Sequence, residues 1–266
     1  MTTTTETKAV ELTATPGGVA VITLNRPEKR NAFSGNTIEQ LQDTFATLRA
    51  ADHVKLVFLR GAGGVFSAGA DLQWMKAAAD YTEEENKQDA LALAHMLRDL
   101  YHLPQVTCAL VEGAAMGGGC GLVAACDMAV AVKGTKFAFS EARLGLTPAT
   151  ISPYVIQAIG PRAARWLFGT AEVFSTDLAL RLGLITEEVE DATALQKAMS
   201  RIEEQVALCA PGAIADAKDL VDTVCFAPFD DRLLEETAKR IAHRRATDEG
   251  REGIAAFLGK RKASWV

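Results

Sequence analysis

The sequence predicts an α/β protein: a core of stacked strand–loop–helix turns, then an appended helical subdomain. Three observations predict it. Short apolar runs, glycine-rich loops and amphipathic segments recur in that order along the first two thirds of the chain. Two of the loops, residues 61–69 (GAGGVFSAG) and 116–121 (MGGGCG), stand between a strand-like run and a helix-like one. From Ala192 onward only helical periodicity remains. The boundary is expected near residue 195, giving a core of 1–195 and a helical oligomerisation part of 196–266.

Residues 19–24 (VAVITL) read as a strand that pairs with 10–13 through the turn formers Pro16, Gly17 and Gly18. Residues 25–33 form a loop rich in turn residues and positive charge. Asn36 is expected to cap a helix to about Ala50, with Ile38, Leu41, Phe45 and Leu48 on one face. Residues 55–60 are the next strand, and the first glycine loop leads to a helix over 70–79. Thr82 caps a longer helix that Pro104 closes. Residues 106–111 then feed the second glycine junction and a helix ending at Ala125. Strands follow at 128–132 and 136–139. Short helices over 151–159, 161–168 and 175–182 precede a last strand, 184–189. Four helices close the chain, over 192–208, 211–224, 229–245 and 248–257.

The composition, 48% hydrophobic and 23% charged over 266 residues, is that of an ordinary globular protein with a sizeable core. No apolar run reaches the roughly 18 residues of a membrane span, so no membrane partner is expected. The start, MTTTTETK, lacks a basic segment followed by an apolar one and reads as a disordered tail. A net charge of −6 argues against nucleic acid as a partner. Cys108, Cys120, Cys126, Cys209 and Cys225 form no CxxC pair, the usage of a reducing cytoplasm. The four histidines are scattered without HxxxH or HExxH spacing, so no metal site is expected, and no GxSxG motif supports an acyl-serine.

The chemistry concentrates in residues 112–141. Glycine lets a reacting group approach its backbone closely, and the first N–H groups of a helix lack internal partners. Gly117, Gly118 and Gly119 stand where a helix begins, and Ala68, Gly69, Ala70 and Asp71 end the other loop at a second helix start. Two such loops can put two N–H groups on one carbonyl oxygen, an oxyanion hole. Tight turns needed only for packing would look the same. Glu141 closes the stretch as the candidate acid and base.

With these residues the chain resembles the crotonase, or enoyl-CoA hydratase/isomerase, superfamily. The matching segments are Asn25-Arg26-Pro27, Lys29-Arg30-Asn31-Ala32, residues 66–72 (FSAGADL) and residues 113–119 (GAAMGGG). Ala125-Cys126-Asp127, Phe139-Ser140-Glu141, residues 181–185 (RLGLI) and residues 256–262 (AFLGKRK) extend the match over nearly the whole chain. The resemblance implies a spiral of ββα turns with a C-terminal helical domain that forms homotrimers, or hexamers as dimers of trimers. It implies an acyl-CoA thioester substrate and no cofactor, coenzyme A being part of the substrate. It places oxyanion-hole donors at the N–H groups of Ala70 and Gly118. Lys29, Arg30, Ala32, Ala68, Gly69, Asp71, Leu72, Gly117, Phe257 and Lys260 would line the substrate and CoA site, the last two often across a subunit boundary. A lysine common after the GAD segment is absent, Gln73 and Trp74 standing there.

One departure bears on the reaction. Many hydratases of the superfamily carry a glutamate directly after GGGC, where this chain has Gly121, and a second at the position of Glu141. One carboxylate can still act in turn as base and acid. A single carboxylate by itself favours isomerisation, but residues 140–159, with residues 119–122, resemble hydratases of branched or carboxylated enoyl-CoAs of the methylglutaconyl-CoA type, and that resemblance makes hydration of an enoyl-CoA the expected activity. Arg143 could face such a carboxylate, although a structural ion pair is the plainer expectation. A Δ3,Δ2-enoyl-CoA isomerase, needing one base, is the alternative; a catalytically silent CoA-binding or scaffolding member is another. The G-x-G-x-x-A spacing of Gly119, Gly121 and Ala124 also fits a dinucleotide fingerprint, but too many residues separate it from Val111.

Overall fold

The computed structural model describes residues 8–266; the tail expected at the N-terminus falls on residues 1–7, outside the described residues. β1 (Val10–Ala14) and β2 (Val19–Leu24) form the expected antiparallel hairpin. α1 (Gly35–Arg49) is capped by Ser34 rather than Asn36: the extended backbone of Ser34 sets its Oγ to accept the Thr37 N–H at 3.3 Å. β3 (Leu56–Gly61) precedes α2 (Leu72–Ala78) and α3 (Glu83–Tyr101), which Thr82 opens with a capping box. β4 (Val106–Val111) runs into β5 (Ala114–Met116), then α4 (Gly118–Ala125), β6 (Met128–Val132) and β7 (Lys136–Ala138).

Residues 151–168 form the two expected helices, joined where Gly160 takes the non-helical φ 76° and ψ 159° ahead of Pro161; together they are α5 (Ser152–Thr170). β8 (Phe174–Ser175), α6 (Thr176–Leu182) and β9 (Glu187–Val189) follow, then α7 (Ala192–Ala207), α8 (Pro211–Cys225), α9 (Asp231–Ala246) and α10 (Asp248–Leu258). Among the described residues no helix is long and apolar enough to cross a membrane.

The main sheet has the order β1-β2-β3-β4-β6-β9, parallel from β2 onward, and a small second sheet has the order β5-β7-β8. Its parallel strands are buried on both faces, which is why they read as continuous apolar runs. In β3, Val57 and Leu59 face the cluster that includes Leu41 and Phe45 of α1, Leu97 of α3 and Leu122 of α4. Leu56 and Phe58 face the other way, where Leu195, Ala198 and Ile202 of α7 cover the sheet.

The expected boundary near 195 falls within this helix. The boundary would cut α7, whose apolar stripe is the lid of the sheet's second face. The helices with little burial of their own begin at α8, which buries no residue fully; α9 and α10 bury only Leu233 and Ala256. α8 is held to the core by polar ties: Lys218 Nζ pairs with Asp127 at 2.6 Å, and the Tyr101 hydroxyl donates to Asp222 at 2.8 Å.

Candidate active site

The loop after β2 is fastened to the first glycine loop by a short set of polar groups. Asn31, 2% exposed and in the left-handed region at φ 54°, accepts the Arg26 N–H at 2.9 Å. Its amide donates to the Ala62 and Val65 carbonyls at 2.9 and 2.6 Å. The Arg26 guanidinium reaches the Ala32 carbonyl and the Asp71 carboxylate, both at 2.8 Å. Main-chain bonds complete the seam: Ala68 N–H to Arg30 O at 2.9 Å, Phe33 N–H to Gly69 O and Asp71 N–H to Phe33 O, each at 2.7 Å.

The first glycine loop is laid in turn along β5. Ser67 N–H donates to Ala114 O and Met116 N–H to Ser67 O, both at 3.0 Å. Gly69 sits at φ 87°, and a methyl group on it would come 2.9 Å from the Met116 carbonyl oxygen, so glycine is needed for the two loops to touch. The Gly69 N–H turns inward to Ser67 Oγ at 3.2 Å. Among the described residues the next N–H, that of exposed Ala70, donates no hydrogen bond.

On the other side, Gly117 N–H is taken by Ala138 O at 2.9 Å and Gly121 N–H by Gly117 O at 3.2 Å. Gly118 is the first residue of α4, so its N–H has no partner within the helix. The structure thus brings together the segments carrying both expected donors, each with its N–H unspent.

Glu141 opens a short 3-10 turn, Glu141–Leu144, directly after β7. A methyl group on Gly117, which takes φ 49° and ψ −115°, would come 3.1 Å from Glu141 Oε1. The carboxylate therefore lies against the backbone of the junction, one residue before Gly118. Its Oε2 is out of contact with solvent and has no hydrogen-bond partner among the described residues. Burial pushes the Glu141 carboxyl above its ordinary value, outweighing a bond from its own backbone N–H. A half-buried carboxyl with a raised pKa beside unspent N–H donors is suited to exchanging protons with a bound carbonyl compound.

Gly121 meets different side chains. A methyl group there would sit 2.3 Å from Cγ2 and 3.0 Å from Cβ of Ile151, with Leu97 Cδ1 at 3.7 Å. Ile151 is 1% exposed. The position at which the resemblance leads one to look for a second glutamate is thus closed by an isoleucine.

Other expected residues fall as follows. Lys29 and Arg30 are exposed at the end of the 3-10 turn Pro27–Lys29, and neither forms an ion pair among the described residues. Ala32 is buried, Ala68 half-buried and Leu72 exposed at the start of α2. Asp71, expected at the CoA site, spends its carboxylate inside the protein: it caps α2 through the Gln73 N–H at 2.8 Å and holds Arg26. Burial alone would raise its pKa; the Gln73 N–H and the Arg26 guanidinium outweigh that and hold it below the ordinary carboxylate value. Phe257 and Lys260 are exposed at the end of α10, and no hydrogen bond or ion pair among the described residues links them to the two loops. Arg143 is exposed, and the structural ion pair expected for it does not form among the described residues. The dinucleotide reading fails, because β5 rather than β4 leads into α4 and Gly119 already lies within the helix.

Sequence reasoning missed Ile151 and Leu97 as walls, and Ser67 as the hinge of the first loop. The asparagine in a run of basic residues was a visible sign for Asn31, since asparagine tolerates the left-handed region. Ile151 had none, being thirty residues from Gly121 in the chain.

The pattern of the enoyl-CoA hydratase/isomerase family matches residues 14–266. A crotonyl-CoA hydratase of Syntrophomonas wolfei is 30% identical over 253 residues, covering 93% of this chain and 94% of its own. Among solved structures, an enoyl-CoA hydratase of Shewanella pealeana superposes with a TM-score of 0.93 at 37% identity, over 97% of this chain and 96% of its own. AtuE of Pseudomonas aeruginosa gives 0.93 at 38% identity, over 97% and 99%.

Proposed function

The chain belongs to the enoyl-CoA hydratase/isomerase family, and on that premise we propose that it hydrates the 2,3 double bond of an enoyl-CoA thioester with Glu141 as its one acid–base group. The observation that carries this reading is the buried Glu141 carboxylate set against Gly117, beside the unspent N–H groups of Gly118 and Ala70. The thioester carbonyl oxygen sits between the two N–H groups. Ionised Glu141 takes a proton from water as the water oxygen bonds to C3. The electron pair of the double bond passes to the thioester oxygen as an enolate, which the two donors hold. Protonated Glu141 then returns its proton to C2, and the carboxylate is regenerated. Each donor of this kind is worth about 10²–10³ in turnover.

Lys29 and Arg30 meet the phosphates of coenzyme A, while Ala32 and the Ala68–Leu72 backbone line its path. No cofactor is required beyond the coenzyme A that the substrate carries. Phe257 and Lys260 complete the site of a neighbouring copy in a homotrimer or a dimer of trimers. Phe226, Phe229, Ile254, Phe257 and Leu258 support this, being large apolar side chains exposed on and around the least buried helices. Arg143, exposed two residues past Glu141, suits an acyl group with its own carboxylate, as in a methylglutaconyl-CoA-type substrate.

The Ile151 wall favours a second reading. Gly121 packs on Ile151 and Leu97, with no carboxylate of its own to hold a water, and a Δ3,Δ2 isomerase needs only one group to move a proton between C2 and C4. Supplying 2-enoyl-CoA and 3-enoyl-CoA separately decides: loss of conjugated-thioester absorbance with the first supports hydration, and a rise with the second supports isomerisation. Tight CoA binding without turnover of either would leave a silent binding member and overturn both.

A further inference from the structure

We propose that Ile151 is a mechanism-determining residue: with Gly121 it forms a coupled pair that locks the site into its one-carboxylate state. The inference rests on the functional reading above for its catalytic consequence, but its steric premise stands on geometry alone. The Cβ direction at Gly121 ends 2.3 Å from Ile151 Cγ2, inside the contact distance of any two carbons, and the second atom met is Ile151 Cβ at 3.0 Å. The obstacle is thus the β-branch itself, not the movable end of a long side chain. Ile151 cannot swing aside easily. It is 1% exposed, its carbonyl accepts the Val155 N–H at 3.1 Å where α5 begins, and it packs in the main core. Leu97 of α3, fully buried, closes the remaining side at 3.7 Å.

Two consequences follow. Any side chain at 121 must displace the wall, so the second carboxylate cannot return by a change at 121 alone. With the wall in place, the carboxyl of Glu141 is raised by burial, with no neighbouring carboxylate among the causes. The identity of residue 151, remote in sequence from every glycine motif, therefore decides how many proton-transfer groups the site can hold.

The test is a cycle of full-length variants: Gly121→Glu, Ile151→Ala and the two combined, with Gly121→Ala and Gly121→Ala/Ile151→Ala as a milder cycle should the glutamate variant fail to accumulate. Thermal melting is read for all, without substrate. Each change alone is expected to lower the midpoint, and each combined variant to melt higher than the sum of its single shifts requires. Additive shifts, or a Gly121→Glu protein that melts with the wild type, would overturn the pair. The catalytic part is read from pH–rate profiles with 2-enoyl-CoA. Gly121→Glu/Ile151→Ala is expected to move the acid limb to higher pH than Ile151→Ala alone, because two carboxylates then share the site, and to raise the ratio of hydration to isomerisation at least tenfold. An unmoved limb and an unchanged ratio, with the melting coupling intact, would overturn the mechanistic role. If even the wild type turns over no enoyl-CoA, the functional reading falls while the melting cycle still decides the pair.

Discussion

Glycines one turn apart at the start of α4 serve opposite purposes. At the N-terminal end, Gly117 leaves out a side chain so that the Glu141 carboxylate can press against the backbone, and Gly118 presents an unspent N–H. One turn later Gly121 leaves out a side chain so that Ile151 can press in, and nothing reactive is there. The first position keeps a polar group in a place that does not favour its charge; the second is close packing against a buried side chain. A run of glycines is therefore not one signal. What each glycine admits decides whether it belongs to the chemistry or to the core.

The sharpest way to test that difference is Glu141→Gln. Turnover is expected to fall by about 10²–10⁴, the usual worth of a positioned acid–base group. Stability should move the other way. The folded-state pKa of Glu141 lies above its ordinary value, so the folded form disfavours the ionised carboxylate. The native state loses stability as pH rises through that raised value and keeps it below the ordinary one. The variant should thus melt above the wild type near pH 8, the gap closing as pH falls to the ordinary carboxylate value of 4.5. A gap that widens on acidification would break the account.

Placing the same methyl group at the two positions comes next. Gly117→Ala strains a φ of 49° and crowds Glu141, so turnover should drop by about 10–100-fold, as for a displaced catalytic group. Gly121→Ala should instead show first in unfolding, with about 1–3 kcal/mol lost to overpacking. Equal losses of turnover at both positions would erase the distinction. Asp71→Asn, which weakens the Arg26 clamp, should cost about 1–3 kcal/mol in denaturant unfolding and raise KM for acyl-CoA. The smallest effect is expected from Arg143→Ala: stability within about 0.5 kcal/mol, with KM raised for a carboxylated enoyl-CoA and not for a linear one.

Much of this was legible in the residues. The apolar runs gave the strands because a parallel sheet covered on both faces needs continuous apolar sequence, and the two glycine loops announced helix starts with free N–H groups. β5 escaped notice because Ala114–Met116 is three small or flexible residues inside a glycine-rich run, with no alternation to read. Ser34 and Asn36 are both good caps, and only the extended backbone at Ser34 separates them. The apolar stripe of α7 was plain, but an amphipathic helix carries no address, and the uncovered face of β3 and β4 is what claims it. At the site, Glu141 was found because it follows a strand within a familiar run. Ile151 was not, since its role exists only through contact with Gly121.

The bonds that join the site also set an order in time. Ala68 reaches back to Arg30, Met116 back to Ser67, and Gly117 forward to Ala138. Each link ties one turn of the chain to the turn beside it and none skips a turn. As the polypeptide is made, every new turn finds its docking edge already present, so each loop closure is modest and loses little chain entropy. Assembly of the oxyanion pocket then resembles winding a spool, and the pocket can be complete once Ile151 has been added, before α8, α9 and α10 exist to bring copies together.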